Sequence, residues 1–188
     1  MNLIIFGPPG AGKGTQADFI VKKYNLFQLS TGELLRSEIK NKTELGIKIS
    51  SAINGGSLVS DDIVKKLVEI FISNEKFKGR LIFDGYPRNL IQAKTLNELL
   101  SQHNQKIDLV LKLSVSLDII KKRILERRTL EKRSDDSEEI AIKRYKTYEK
   151  STEPVIEYYK KLNLLKVIDG ERSIDQINKE ISDIITLI

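Results

Sequence analysis

Short runs of consecutive apolar residues recur along the chain at wide intervals, and they constrain its fold more than any other feature. Four strong runs occupy 3–6, 81–83, 109–113 and 164–168, and a weaker one occupies 26–29. Runs of this length without polar alternation are typical of strands that a parallel sheet buries on both faces. Segments with helical periodicity separate them. This alternation predicts an α/β fold with a doubly wound, parallel, five-stranded sheet.

Composition excludes several classes of protein. Of 188 residues, 31% are charged and 40% are hydrophobic, which is typical of a folded domain. Cysteine is absent, so disulfides, thiolate zinc sites and cysteine nucleophiles are excluded, and we expect a cytoplasmic location. No apolar run approaches the roughly 20 residues of a membrane span, and the N-terminus lacks the basic leader of a targeting peptide. The formal net charge of +6 favours anionic partners.

A glycine-rich segment directly follows the first predicted strand. Residues 7–15 read Gly-Pro-Pro-Gly-Ala-Gly-Lys-Gly-Thr, which has the spacing of a phosphate-binding loop. In such a loop, main-chain N–H groups, the N-terminus of the next helix and the lysine attract phosphate. The residue after Lys13 is Gly14 rather than the usual Ser or Thr, and Thr15 follows one position later. The segment indicates a nucleotide site but not a dinucleotide fingerprint, because Thr15 occupies that fingerprint's last glycine position.

Two stretches interrupt the alternation of strands and helices. Residues 30–59 show helical periodicity without a buried strand and end in a glycine-rich turn, which predicts a helical insertion. Residues 126–139 are almost devoid of apolar side chains, so they cannot contribute to a core and we expect them at the surface. We find no repeat or linker that would separate a second domain.

Two further motifs occur in order with the phosphate loop. They are Ser-Thr-Gly-Glu at 30–33 and Asp-Gly-Tyr-Pro-Arg at 84–88, and arginines at 123, 127, 133 and 144 follow them. With these motifs the chain resembles the nucleoside monophosphate kinases, and closely the adenylate kinases, over nearly its whole length. The resemblance implies a P-loop NTPase core of residues 1–29, 60–125 and 137–188. It also implies a nucleoside-monophosphate-binding insertion at 30–59 and a short lid at 126–136.

The resemblance assigns a role to each matched residue. For ATP it implies contacts with Gly10, Ala11, Gly12, Lys13, Gly14, Thr15, Arg123, Arg127 and Arg172. For AMP it implies contacts with Thr31, Arg36, Ser57, Leu58, Val59, Gly85, Tyr86, Pro87, Arg88, Gln92, Arg133 and Arg144. The catalytic set implied is Lys13, Arg88, Arg123, Arg133 and Arg144. Asp84 would hold Mg²⁺ through water, and zinc is not expected because the lid is short and lacks cysteine.

The implied reaction is reversible transfer of the terminal phosphoryl group from MgATP to AMP, giving two ADP and balancing the adenine nucleotide pool. Two arginine clusters suit this chemistry, because phosphoryl transfer depends mainly on alignment and on positive charge around the migrating group. We expect a monomer that binds small nucleotides and neither nucleic acid nor a membrane. One alternative is a pyrimidine (UMP/CMP) kinase, which Asn89 favours. Others are a non-enzymatic nucleotide- or RNA-binding module, suggested by the basic charge, and an inactive phosphate-loop switch.

Several motif residues also have a purely structural interpretation. Ser30 with Glu33, and Ser173 with Gln176, have capping-box spacing, and Ser60 precedes another predicted helix. Asp135 and Asp136 could cap the helix that begins near residue 137, or pair with lid arginines. His103 lies in a polar loop, and we assign it no role. The tyrosines near Pro154 are predicted to pack rather than to stack on bases: Tyr145, Tyr148, Tyr158 and Tyr159.

Overall fold

A computed structural model of the chain describes residues 1–131 and 137–188. Its strands are β1 (Leu3–Phe6), β2 (Phe27–Ser30), β3 (Leu81–Asp84), β4 (Leu109–Ser114) and β5 (Leu165–Asp169). The first four helices are α1 (Lys13–Tyr24), α2 (Thr31–Lys40), α3 (Glu44–Asn54) and α4 (Asp61–Ile72), and a short 3₁₀ helix (Glu75–Phe77) follows them. The remaining helices are α5 (Leu90–Gln102), α6 (Leu117–Glu131), α7 (Glu138–Lys161) and α8 (Ile174–Thr186).

The five strands form one parallel sheet in the order β2-β3-β1-β4-β5, which confirms the predicted fold class. β1 lies at the centre, where Leu3 is in register with Ile82 of β3 and Leu109 of β4. All strands are parallel, so β1 and β3 end at the same edge of the sheet. The glycine-rich loop follows β1 at that edge, and residues 85–88 follow β3 there. A parallel sheet of this kind binds ligands at the carboxyl ends of its strands.

Alternate residues of each strand face two different helical layers. Leu3 and Ile5 of β1 pack in a cluster with residues of α1 and α8. Ile4 and Phe6 belong to a second cluster, which contains residues of α4, α5 and α7. This alternation follows from the two-residue period of a strand, and it explains why β1, which is buried on both faces, carries no polar residue.

Residues 31–54 form the two helices α2 and α3, which pack closely against each other. Gly46 lies at their contact, where a Cβ atom would be 2.1 Å from the main-chain oxygen of Glu38. The hydroxyl oxygen of Thr43 accepts a hydrogen bond from the Gly46 N–H and so caps α3. Only glycine can occupy this contact without moving one helix.

Three predicted helix starts have different outcomes. The capping box of Ser173 and Gln176 is present, as predicted. α2 and α4 also begin where predicted, directly after Ser30 and Ser60, but among the described residues neither serine side chain makes a capping hydrogen bond, so the capping box predicted at Ser30 is not formed. Ser30 is also the last residue of β2 and is in register with Asp84 in the sheet, which fixes its backbone in an extended conformation.

The polar stretch predicted at the surface begins inside a helix. α6 continues to Glu131, because its Glu, Arg and Leu residues are strong helix formers. Arg133, Asp135 and Asp136 lie outside the described residues. Within the described part of the chain, no helix is both long and apolar enough to cross a membrane.

Candidate functional site

The glycine-rich loop turns from β1 into α1 through backbone conformations that favour glycine. Gly10 has a φ of +82°, and Gly12, the residue before α1, has a φ of +91°. At Gly10 a Cβ atom would also lie 3.0 Å from Cγ1 of Ile124. The loop therefore keeps its main chain close to α6 and leaves the N-terminus of α1 open toward the cavity described below.

Lys13 lies under this loop and is surrounded by positive charge. Its Nζ donates to the main-chain oxygens of Gly7, at 2.8 Å, and Pro8, at 3.1 Å. The pKa of Lys13 is lowered to about 8, mainly by desolvation and also by the nearby Arg88, Arg144 and Arg127, while Asp84 opposes them. The charges of Lys13 and three arginines therefore act on one region, and a positive region of this kind attracts polyanions.

A cavity of about 1180 Å³ joins the loop to the α2–α3 segment. Most residues predicted to bind nucleotide line it. They are Gly10, Ala11, Gly12, Lys13, Gly14, Thr15, Arg36, Ser57, Leu58, Asp84, Gly85, Pro87, Arg88, Arg123, Arg127, Arg144 and Arg172. Its size is sufficient for two small ligands placed end to end, since single-ligand pockets measure about 300–1,000 Å³.

Four predicted residues lie behind the cavity wall. Thr31 and Tyr86 are each 1% exposed, Gln92 is 3% exposed and Val59 is 8% exposed. Arg133, which was also predicted to bind nucleotide, is outside the described residues. Charged side chains therefore line the cavity, and buried residues pack behind them.

Loop residues 10–15 and the Arg123 side chain form one half of the site, the loop subsite. Arg123 donates through Nη1 to the main-chain oxygen of Ala11, at 3.4 Å, and through Nη2 to that of Gly170, at 2.9 Å. Arg172 lies beyond it and forms ion pairs with Asp169 and Glu180. Arg123 thus connects the glycine-rich loop to the segment between β5 and α8.

Thr31, Gly85, Arg88 and Gln92 form the other half, the Gly85 subsite. The Thr31 hydroxyl donates to the main-chain oxygen of Gly85 at 2.9 Å, and Arg88 Nε donates to the same oxygen at 2.7 Å. Gly85 has a φ of +74°, and a Cβ there would lie 3.1 Å from Nη2 of Arg88 and 3.3 Å from Oγ1 of Thr31. The absence of a side chain at Gly85 lets Thr31 and Arg88 converge on one carbonyl.

Asp84 is the candidate metal-binding residue. It ends β3 beside Lys13, lines the cavity and accepts a hydrogen bond at 3.1 Å from the side-chain amide of Gln28. Mg²⁺ in phosphotransfer sites is usually held by one or two carboxylates together with substrate phosphates, so a single carboxylate at this position fits that ion. Within the described residues, no group of three or more His, Cys, Asp or Glu side chains could hold a metal on its own.

Sequence reasoning missed four residues of the site. Gln28 bonds to Asp84, Asp61 bonds to Gln92, and the Thr152 hydroxyl donates to the main-chain oxygen of Arg88 at 3.2 Å. Tyr148 lines the cavity, although its helical pattern indicated packing alone. Gln28 and Asp61 are close in sequence to recognised motifs, but only the register of β2 with β3 and the packing of α4 on α5 bring them to their partners.

Comparison with known proteins gives a consistent result. The family model described as "Adenylate kinase" matches residues 5–164. The protein named adenylate kinase from Pelagibacter ubique (strain HTCC1062) is 48% identical, with 98% of this chain and 99% of that protein covered. The adenylate kinase of Fusobacterium nucleatum subsp. nucleatum is 40% identical, with 98% of each covered. That of Prochlorococcus marinus (strain MIT 9301) is 44% identical, with 96% of each covered.

Proposed function

The chain belongs to the adenylate kinase family, and on that premise we propose how its two subsites divide the work of the reaction. The enzyme transfers the terminal phosphoryl group of MgATP to AMP, and in reverse forms ATP and AMP from two ADP. ATP occupies the loop subsite, and AMP occupies the Gly85 subsite. The observation that carries this assignment is that Arg88, Arg127 and Arg144 line the same cavity as Lys13 and lie close enough for their charges to act on it.

The loop subsite holds the phosphates of the donor. Main-chain N–H groups of residues 10–15 and the N-terminus of α1 bind phosphate oxygens, and Lys13 Nζ turns from the loop carbonyls toward the transferred group. Arg123 and Arg127 add charge on the donor side, and Arg172 lies toward the adenine of ATP. Arg123 is in place before the ligand arrives, because it is already held by the Ala11 and Gly170 carbonyls.

The Gly85 subsite holds the acceptor. Arg36 and Arg88 pair with the AMP phosphate, since a guanidinium group presents two parallel donors to phosphate and stays charged. Thr31, the main chain of residues 57–59 and Gln92 bind the adenosine part. Arg144, with Arg133 by family resemblance, spans the migrating phosphoryl group, whose equatorial oxygens carry more charge in the transition state than any neutral side chain could stabilise.

Asp84 would hold, through water, the Mg²⁺ that accompanies ATP, and Gln28 orients the Asp84 carboxylate. When bound, the ion neutralises charge on the phosphates of the donor. The protein's own contribution is to align the acceptor oxygen with the terminal phosphorus and to keep water out.

The segments around the two subsites have roles in the proposed reaction as well. Residues 126–136 act as a short lid that closes over the phosphates, and residues 30–59 act as the AMP-binding insertion on a core of 1–29, 60–125 and 137–188. Closure excludes water, which a transferase needs in order to avoid hydrolysing ATP. The enzyme works as a monomer in the cytoplasm on small nucleotides, without nucleic acid or membrane partners.

Asn89 gives no support to the pyrimidine alternative. Its Nδ2 donates to both carboxylate oxygens of Asp61, at 3.0 and 3.1 Å, and its Oδ1 accepts from the Gln92 N–H at 2.8 Å. The side chain therefore caps α5 and holds Asp61. Thr31 and Gln92 remain the residues that favour adenine.

A coupled assay of purified protein tests the function. With MgATP as donor, we expect turnover of AMP to exceed that of UMP and CMP, and Arg88→Ala to lose transfer by about a thousandfold without unfolding. Lys66→Ala, on the exposed face of α4, is the matched cationic control and should retain full activity. Equal turnover of Arg88→Ala and the unaltered enzyme would contradict the assignment, and a preference for UMP or CMP would favour the pyrimidine alternative.

A further inference from the structure

The Gln92 side chain is held at both ends of its amide group. Its Oε1 accepts from the main-chain N–H of Arg88 at 2.7 Å, and its Nε2 donates to Oδ1 of Asp61 at 2.7 Å. Asp61 lies in the first turn of α4, and Asn89 holds its carboxylate from the other side. Gln92 is 3% exposed, so water does not compete for these bonds.

These contacts permit only one orientation of the Gln92 amide. A carboxylate only accepts hydrogen bonds, and a main-chain N–H only donates. If the amide turned over, its oxygen would face the Asp61 carboxylate and its NH₂ group would face the Arg88 N–H. Both contacts would be repulsive in a buried site, where unmatched polar groups cost the most.

Beyond these two bonds the amide has one further N–H on Nε2 and one further lone pair on Oε1. On the proposed function, the acceptor base reaches them when it displaces the cavity wall in front of Gln92. Adenine offers the complementary pair on its Watson–Crick edge, an acceptor at N1 and an amino donor at C6, and cytosine offers the same pattern at N3 and C4. Hypoxanthine and uracil have the reverse pattern, an N–H donor beside a carbonyl oxygen. A site that is built to pair with one pattern rejects the other, because both sides would be left with unpaired groups.

We propose that Asp61 is a positioning residue that selects amino bases over oxo bases in the acceptor nucleotide by fixing the orientation of the Gln92 amide. This inference rests on the proposed function, since it places the acceptor base at Gln92. Asp61 acts only through Gln92 and touches neither phosphoryl group. Its carboxylate, rather than its contribution to the start of α4, is what sets the selectivity.

Asp61→Asn tests this inference with an isosteric change. The asparagine oxygen can accept from Gln92 in the present orientation, and its NH₂ group can donate to Oε1 in the inverted one, so the constraint at that end is removed. Asp62→Asn is the matched control: Asp62 also lies in the first turn of α4 but is exposed. Asn89→Ser keeps a capping oxygen for α5 and removes only the bonds from Nδ2 to Asp61.

The measurement is kcat/KM for AMP and for IMP, at saturating MgATP, with folding checked by thermal melting. We expect the AMP-to-IMP ratio to fall about three- to tenfold in Asp61→Asn, where the Arg88 N–H still favours the present orientation, and less in Asn89→Ser, with kcat for AMP within about threefold of the unaltered enzyme. Asp62→Asn should keep the original ratio. Gln92→Leu should abolish most of the AMP preference, because it removes the amide itself.

Different results would contradict the role of Asp61 and the proposed function. An unchanged AMP-to-IMP ratio in folded Asp61→Asn and Asn89→Ser, with a reduced ratio in Gln92→Leu, overturns the role of Asp61 alone. An equal loss of ratio in Asp62→Asn also overturns it, because the effect would then come from helix charge. No AMP turnover by the unaltered enzyme overturns the proposed function and this inference with it.

Discussion

The loop subsite and the Gly85 subsite differ in the kind of atom that faces the ligand. The loop subsite is built from main-chain N–H groups and cations, and Lys13 donates to the Gly7 and Pro8 carbonyls, which a phosphate can replace. The Gly85 subsite is backed by buried side chains whose hydrogen bonds run from Thr31 through Gly85 and Arg88 to Gln92. Phosphate, common to all nucleotides, needs only backbone and charge. Choosing a base requires side chains that cannot reorient.

Removing the lysine of the loop subsite is expected to give the largest effect. Lys13→Met should reduce kcat at least about a thousandfold, because the transferred group loses its nearest cation. The same substitution should stabilise the ligand-free protein by about 1 to 3 kcal/mol, since one pKa unit corresponds to about 1.4 kcal/mol and burial depresses the pKa of Lys13. Transfer assays and thermal melts of the nucleotide-free protein measure the two effects.

The pH dependence of that stabilisation checks its cause. The pKa of Lys13 is about 8 in the folded protein and 10.5 ordinarily, so the folded state binds fewer protons between these values. The gain in stability from Lys13→Met should therefore be complete below about pH 8 and disappear as the pH approaches 10.5. Lys66→Met, on the exposed face of α4, should show neither effect. A melting temperature for Lys13→Met that is lower at pH 7 would contradict the account.

Adding a methyl group to the Gly85 subsite is expected to have the second largest effect. In Gly85→Ala the new Cβ would lie against Arg88 and Thr31 at a positive φ, so we expect KM for AMP to rise about 10- to 100-fold and stability to fall by about 1 to 2 kcal/mol. KM for ATP should change by less than about twofold, because the damage is confined to the acceptor side. Steady-state kinetics with each nucleotide varied in turn measure this difference.

Gly14→Ala is the stability control for that substitution. Its added Cβ would meet no described atom within 4 Å, and Gly14 lies in the first turn of α1, so stability should stay the same or rise slightly. Equal increases in the KM values for ATP and AMP in Gly85→Ala would contradict the distinction between the two subsites, because a change in one would then affect binding in both.

The sequence predicted those parts of the molecule whose structure is determined by residues close to them in the chain. The run at 3–6 and the glycines that follow it specify a buried strand, a phosphate loop and a helix start within a few residues of one another. Local pattern located the start of α2 after Ser30 but wrongly predicted a capping box there. It correctly placed 126–130 at the surface but did not predict their helical conformation, because helix propensity extends α6 into a stretch whose only apolar residue is Leu130.

The buried half of the Gly85 subsite could not be predicted by such local reasoning. Asp61 and Gln92 are separated by 31 residues, and Gln28 and Asp84 by 56, so only tertiary packing brings each pair together. Asp61 directly follows Ser60 at the start of a helix, and that position accounts for an acidic residue without any bond to α5. The bond to Gln92 was therefore not predicted. The family resemblance indicated the arginines of the cavity wall, but the matched motifs carry no information about which polar side chains support that wall from behind.

Removing the support of Asp84 is expected to have a moderate effect. Gln28→Leu takes away the amide that bonds the Asp84 carboxylate, so the concentration of Mg²⁺ that gives half the maximal rate should rise about three- to tenfold. The maximal rate at saturating Mg²⁺ should be nearly restored, because Asp84 itself remains. Magnesium titrations at fixed ATP and AMP measure the shift. An identical titration curve in Gln28→Leu would show that Asp84 needs no positioning.

The smallest effect is expected at Arg172, which we propose lies near the donor base at the surface. Glu180 pairs with Arg172, but the two side chains are 35% and 36% exposed, and an exposed ion pair is worth about 0 to 1 kcal/mol. Glu180→Gln should therefore raise KM for ATP by at most about fivefold, leave KM for AMP unchanged, and lose its effect at high salt. Asp183→Asn, which breaks the exposed pair with Lys179 on the same helix, is the matched control.

The effect of Glu180→Gln tests whether the two subsites also differ in how firmly they hold a base. Arg172 has carboxylate partners exchangeable with water, whereas the Gln92 amide is enclosed, so the donor side should tolerate a change of base far better than the acceptor side. We therefore expect Glu180→Gln to leave the preference of the donor site among ATP, GTP and ITP within about twofold of the unaltered enzyme. A tenfold rise in KM for ATP that persists at high salt would show that a fixed side chain also binds the donor base. The loop subsite and the Gly85 subsite would then differ only in how deeply that side chain is buried.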